Sequence, residues 1–299
     1  MSSKQLRRLR RNRGEPKQDP GSWFPSAERD ILGAIGTGAV NVMTTRPNVI
    51  QQELWSCLRR EARQAATRDP VFGRSLAAAV LDHADLGSVV AQQIGGRLGR
   101  SSAEQAQFAA VAREAHHAAP DLVDAAYRDL DAIAAHDPAA TALLPPLLNY
   151  KGYVALQAHR VAHWLWTNER TDLALRLQAE SSTSLQVSIH PSARIGTSVF
   201  LDHATGIVIG AFAVVGDDVT VLQNVTIGRR DALPGRAPRI GRGVLLSSGA
   251  TLLGDVQVGD FARIGAGAMV TSDVPAGCTA VGTPARLTNC PEQPTSAGV

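Results

Sequence analysis

From Ile189 onward the chain repeats every six residues. Small aliphatic side chains fall at Ile189, Ile195, Leu201, Ile207, Ala213, Val219 and Val225, and again at Ile240, Leu246, Leu252, Val258, Ile264 and Val270, with glycines and small residues between them. Neither an α-helix nor a pleated strand has that period. A coil with three short flat strands per turn does, each strand sending an aliphatic side chain inward and turning on glycine or a polar residue. The pattern predicts a left-handed parallel β-helix over residues 187–286. The step from Val225 to Ile240 is not a multiple of six, so a loop must leave the coil there, at 229–238. Composition suits so lean a core: 44% of the 299 residues are hydrophobic but only 4% are aromatic, which leaves Ala, Val, Leu and Ile to do the packing.

The half before the coil is helical, so the fold class is α+β, with an all-helical domain at 48–186 preceding the β-helix. Asp69-Pro70 marks one helix start, and Ser101 with Glu104 three residues later has capping-box spacing. Leu122, Ala126, Leu130 and Ile133 recur on one helical face. A solenoid needs caps. Here the helical domain covers one end, and Pro275–Pro284 breaks the repeat at the other. The flat sides of such a prism pack well around a threefold axis, so a homotrimer is the expected assembly.

Residues 1–47 read as a disordered or irregular basic lead-in, and 287–299 as a flexible tail. The first twenty residues hold seven basic side chains against Glu15 and Asp19, which suits a solvated tail, and the rest of the chain carries no basic recognition surface. Nucleic acid is therefore not an expected partner. No apolar run reaches the roughly 18 residues of a membrane span, so a membrane is not expected either. Cys57, Cys278 and Cys290 lack CxxC spacing, and no apolar stretch follows the basic start as a signal peptide requires. A reducing cytoplasm is the default expectation.

Chemistry points to His203, in Leu201-Asp202-His203-Ala204-Thr205-Gly206, which a rigid coil would hold in place. An imidazole, with an ordinary pKa of about 6.5, can take a proton from a hydroxyl at neutral pH as a general base. His159 and His163 are four apart on a helix, but no carboxylate or cysteine nearby completes a metal ligand set. They read as core or interface residues and no metal site is expected. His190, at the junction of helix and coil, reads as structural. No Walker or dinucleotide glycine motif is present, so neither ATP nor NAD is implied.

Taken together, Pro146-Leu147-Leu148, Lys151-Gly152, Ala155-Leu156-Gln157-Ala158-His159-Arg160, His163-Trp164-Leu165-Trp166, Ile189-His190-Pro191 and the segment around His203 resemble bacterial serine acetyltransferases, from about Leu54 to about Leu287. The resemblance implies acetyl transfer from acetyl-CoA, as co-substrate, to the hydroxyl of L-serine, giving O-acetyl-L-serine for cysteine biosynthesis, with no permanently bound cofactor. It implies His203 as the base, with Asp202 beside it. Asp137 of Asp137-Pro138 and Asp202 would meet the acceptor's ammonium and Arg236 its carboxylate, a clamp of opposite charges at fixed separation. For the coenzyme, Ser248, Gly249, Gly265, Ala266 and Gly267 would give clearance along the groove between coils, and Arg229, Arg230, Arg263 and Arg286 are candidates for its phosphates. The resemblance also implies a trimer or a dimer of trimers, and an O-acetylserine sulfhydrylase partner docked by the C-terminal tail.

Two departures keep other readings open. Where the family has an aspartate paired with the catalytic histidine, this chain has Ser188, placed on the substrate side; where it has a second loop histidine, this chain has Ala237 in a loop one residue shorter. A diverged O-acyltransferase using another small amino acid or hydroxylated acceptor fits these changes, as does a weakly active paralogue that works through binding the sulfhydrylase.

Overall fold

The computed structural model describes residues 46–229 and 236–291. Its first half is helical: Arg46–Arg68 (α1), Pro70–Leu76 (α2) with a π-helical turn at Ala77–Leu81, Leu86–Leu98 (α3), Ser102–Ala118 (α4), Asp121–His136 (α5), Leu144–Asn149 (α6), Lys151–Thr167 (α7) and Thr171–Leu185 (α8). The start signals act as the sequence suggests. Asp69 Oδ1 accepts from the amides of Val71 and Phe72 at 3.1 and 3.4 Å, and Ser101 Oγ accepts from the Glu104 amide at 3.3 Å. The Glu104 carboxylate, however, reaches back to the Arg100 amide at 2.9 Å instead of to Ser101. No helix of the described residues is long and apolar enough to cross a membrane.

The α7 helix is the hub, buried from Gly152 through Ala162. It joins the coil through an ion pair whose carboxylate is fully buried and whose guanidinium is nearly so. Asp129 of α5 is fully buried and accepts from Arg160 Nε and Nη2, from Gln157 Nε2 at 2.9 Å and from the Val199 amide of the first coil at 3.0 Å. Arg160 in turn donates to the carbonyls of Ile195 and Gly196 at 3.3 and 2.7 Å. With every neighbour a donor, Asp129 sits there as a carboxylate.

The second half is the left-handed parallel β-helix. One face stacks β1 (Val187–Ile189), β4 (Ile207–Ile209), β7 (Thr226–Gly228), β10 (Thr251–Leu253) and β13 (Met269–Val270). The second stacks β2 (Arg194–Ile195), β5 (Val214–Val215), β8 (Arg239–Ile240) and β11 (Gln257–Val258). The third stacks β3 (Phe200–Leu201), β6 (Thr220–Val221), β9 (Leu245–Leu246), β12 (Arg263–Ile264) and β14 (Thr279–Val281), and is closed by β15 (Arg286–Thr288), antiparallel to β14.

The register differs from the simple six-residue reading. Ile189 stacks on Ile209, not Ile207, and Leu201 on Val221, so the first turn is twenty residues long, whereas the next step on the first face, Ile209 to Ile227, is eighteen. The run from Leu201 to Ile207 thus conceals a two-residue insertion. It is concealed because each strand sends two alternate residues inward: Val187, Ala193, Val199, Ile207, Ala213, Val219 and Val225 form a second buried column beside the first. Past Ile240 the original column resumes, with Ile240, Leu246 and Leu252 beneath Val258, Ile264 and Val270.

The tail also needs correcting. Its beginning is not loose, because Thr288 pairs with Thr279 in the antiparallel ladder and Cys290 forms a disulfide with the buried Cys278. That pairing was not announced by the spacing of three cysteines; the remaining one, Cys57, is buried. The basic cluster, and the chain from 292 to its end, lie outside the described residues.

Candidate active site

The insertion that breaks the register is the corner carrying His203. Between β3 and β4, His203 has φ 55° and Ala204 φ 60°, two successive residues in the left-handed region that side chains seldom occupy. The corner is wound tightly by Ala204 N–H donating to the Asp202 carbonyl at 2.5 Å and Thr205 N–H to the His203 carbonyl at 2.8 Å. It is tied to its neighbours by Gly206 N–H on Gln186 O and Asn224 N–H on Thr205 O, both at 2.8 Å. The extra residues push the imidazole out of the coil, with 74% of the side chain exposed. Asp202 is half-buried, its Oδ1 3.8 Å from His203 Nε2, an electrostatic neighbour beyond hydrogen-bond reach.

The helical domain docks on this corner at the start of α7. Lys151 Nζ donates to Thr205 Oγ1 at 2.6 Å, and Gly152 lies so close that an added Cβ would collide with the Leu201 carbonyl. One residue earlier, the Tyr150 hydroxyl donates to Asp137 Oδ2 at 2.7 Å. Asp137 ends α5, and its other oxygen accepts from the Ala139 amide at 2.7 Å. Burial raises the Asp202 carboxyl above the ordinary range; His203 offsets part of the rise and Asp137 adds to it. Burial and Asp137 push the Tyr150 phenol up to about 12, with Asp202 contributing. Two carboxylates from different domains therefore feel each other beside an exposed imidazole, an excess of negative charge that a primary ammonium would relieve.

Ser188 lies on β1, and its hydroxyl accepts from Gln178 Nε2 of α8 at 3.2 Å. Among the described residues no carboxylate hydrogen-bonds the His203 ring. His190 does not approach it either: its Nδ1 is 2.8 Å from Ser192 Oγ and its ring meets Trp166 edge-on. His159 is buried and His163 Nδ1 lies 2.7 Å from the Pro191 carbonyl, in keeping with core roles.

The residues expected on the coenzyme side share the His203 edge. Left-handed positions stack there at Asn224, Gly249, Gly267 and Gly282. They are linked by Gly249 N–H to the Gln223 carbonyl at 3.0 Å and Gly267 N–H to the Ser248 carbonyl at 2.9 Å. At about 4.8 Å per coil, Gly249 and Gly267 lie roughly 10 and 15 Å along the edge from His203. A Cβ on Gly267 would meet nothing within 4 Å, whereas one on Gly265 would press on Val281. Ser248, Gly249, Gly265, Ala266 and Gly267 thus form one open, low-relief edge. Arg263 stands on β12 of the adjoining third face and Arg286 on β15 beyond it.

Other expected residues are elsewhere. The loop between β7 and β8 leaves at the edge joining the first and second faces, while His203 sits at the edge joining the third and first. Arg236 is exposed at the loop's far end, Arg229 lies over the Phe212 ring at 5.7 Å, and Arg230 is outside the described residues. Pro138 is exposed beside Asp137. Ala237 is only 2% exposed, so the lost loop histidine does not leave an opening within the single chain. Sequence reasoning missed Tyr150, set between Asn149 and Lys151; nothing in the sequence links it to Asp137.

The family model described as serine acetyltransferase, N-terminal, matches residues 54–158. The serine acetyltransferase of Salmonella typhimurium is 41% identical over 239 residues, covering 80% of this chain and 88% of that protein. Among solved structures, soybean serine acetyltransferase complexed with serine superposes with a TM-score of 0.77 at 41% identity, covering 80% of this chain and 99% of the other. A serine acetyltransferase complex with CoA gives 0.77 at 36% identity, covering 80% and 100%. With identity at this level across both the helical domain and the coil, the chain belongs to the serine acetyltransferase family.

Proposed function

We propose that His203 is the general base of an acetyl transfer from acetyl-CoA to L-serine, held at the meeting point of the two domains. The chain is an acyltransferase: acetyl-CoA is the co-substrate, O-acetyl-L-serine the product, and cysteine biosynthesis its setting. The observation that carries the residue assignment is the Asp202 carboxylate 3.8 Å from the exposed His203 imidazole, with Asp137 adding to the rise of that carboxyl. Those carboxylates receive the serine ammonium. His203 takes the hydroxyl proton as the oxygen attacks the thioester carbonyl; the tetrahedral adduct then expels the CoA thiolate, which leaves as the thiol with the proton held on the imidazolium.

The serine carboxylate falls to Arg236. Because Arg236 and His203 belong to different edges of the prism, the clamp closes between neighbouring chains, which favours a homotrimer. The same reading extends to a dimer of trimers and a sulfhydrylase partner met by the C-terminal residues, whereas the Cys278–Cys290 disulfide does not favour the reducing cytoplasm expected from the cysteine spacing. The pantetheine arm runs along the edge from His203 past Gly249 to Gly267, with Arg263 and Arg286 toward the phosphates. Thiol release from acetyl-CoA in the presence of L-serine tests the core of this: His203→Ala should lower kcat by about 10²- to 10⁴-fold. Turnover by that variant at the parental rate would exclude His203 as the base.

A further inference from the structure

The α6–α7 junction carries a tyrosine that no part of the acetyl-transfer reading requires. Tyr150 lies between the two helices with φ −81° and ψ 107°, its amide donating to the Pro146 carbonyl at 3.2 Å. The two residues that follow it are anchored on the coil: Lys151 is held by Thr205, and Gly152 abuts the Leu201 carbonyl. The phenol therefore has a fixed place relative to the His203 corner, and from there it donates to Asp137 Oδ2. With the Ala139 amide on Oδ1, both oxygens of Asp137 are held by donors. A carboxylate left to rotate beside a second carboxylate would turn away from it, because like charges repel.

We propose that Tyr150 is a positioning residue for acceptor recognition, which fixes the Asp137 carboxylate in one orientation so that it and Asp202 present a preformed seat for a primary ammonium. The inference rests on the acetyl-transfer reading above and adds to it a group that selects amino-acid acceptors over hydroxy acids. The hydroxyl does not touch the reacting atoms. Its contribution lies in orientation, so it belongs in substrate binding more than in turnover.

Tyr150→Phe removes the oxygen and keeps the ring. A hydrogen bond to a charged group is strong enough that its loss should raise KM for L-serine about tenfold, with KM for acetyl-CoA unchanged and kcat altered by less than about threefold. 3-Hydroxypropanoate, which is serine without the ammonium, serves as a competitive inhibitor against serine, and its Ki should be the same for Tyr150→Phe and the parent. Michaelis and inhibition constants do not depend on how much of a preparation is folded, so partial loss of stability leaves the comparison intact. Asp137→Asn is the companion variant. If the parent uses serine and Asp137→Asn raises KM for it while Tyr150→Phe does not, the tyrosine has no positioning role and the inference is wrong. Equal losses for serine and 3-hydroxypropanoate would overturn it too, showing a general disturbance of the site. If the parent releases no CoA with serine, the acetyl-transfer reading fails first, a distinct result.

Discussion

Replacing Asp129 with alanine should do more damage than its distance from His203 suggests. The carboxylate is wholly buried and takes five donor contacts: Arg160 Nε at 3.0 Å, Arg160 Nη2 at 3.0 and 2.8 Å on its two oxygens, Gln157 Nε2 at 2.9 Å and the Val199 amide at 3.0 Å. Asp129→Ala strands an Arg160 side chain that is only 8% exposed, with two carbonyls as its remaining partners. Breaking a buried pair from one side costs about 3–5 kcal/mol, and the orphaned Val199 amide belongs to the same loss, so about 4 kcal/mol is expected. Against a stability of about 5–15 kcal/mol for a typical domain that is a large share. At about 2–4 °C per kcal/mol it lowers Tm by roughly 8–16 °C. Asp129 lies on the helix that ends in Asp137, so KM for serine should rise as well. Thermal and urea unfolding monitored by circular dichroism, together with thiol-release kinetics, measure both. A variant melting within about 2 °C of the parent would refute the buried-pair reasoning. Replacing both partners with apolar residues, Asp129→Leu with Arg160→Met, should recover much of the loss, since the penalty comes from the stranded charge.

Two further outcomes follow from the same structure. Gly152→Ala drives a methyl group into the Leu201 carbonyl and should cost about 1–3 kcal/mol while depressing kcat/KM for serine; wild-type values for both would mean that α7 does not press on the corner as described. Burial holds the His159 imidazole well below its ordinary pKa of 6.5, so below that pH the unfolded chain takes up a proton that the folded chain refuses. Stability present above pH 6.5 should therefore fall on acidification by up to about 1.4 kcal/mol per pH unit, and His159→Leu should flatten that slope, leaving the smaller shares from His116 and His190, both also lowered by burial. Denaturation midpoints across pH 5–8 measure it, and an unchanged slope in the variant would count against a buried neutral His159.

The coil was legible because a six-residue period admits few other folds, and the helical domain because its caps and apolar faces are local signals. The register around His203 was not. Leu201 and Ile207 look like successive members of one column, yet they belong to two, since strands with two inward aliphatics hide any even-numbered insertion. The residue types on the coenzyme edge could be picked out as small, and they do share an edge with His203. Arg229 and Arg236 could not be placed relative to it by any local pattern. Tyr150 and Asp129 escaped notice for another reason: their partners lie thirteen and thirty-one residues away in Asp137 and Arg160, and only packing brings them together.

The insertion also accounts for the union of these two domains. An eighteen-residue turn would keep position 203 within a regular corner of the prism; two extra residues lift it outward, at the expense of two left-handed side chains in succession. Such a corner persists only where its surroundings over-determine it. Here they come from the helical domain: Lys151 holds Thr205, Gly152 closes on Leu201, and the Arg160–Asp129 pair fastens α5 and α7 to the first coil. The same contacts bring Asp137 within electrostatic reach of Asp202. The helical domain is thus more than an end cap, since the groups that support the exposed imidazole and the Asp137 carboxylate arrive on the same pair of helices.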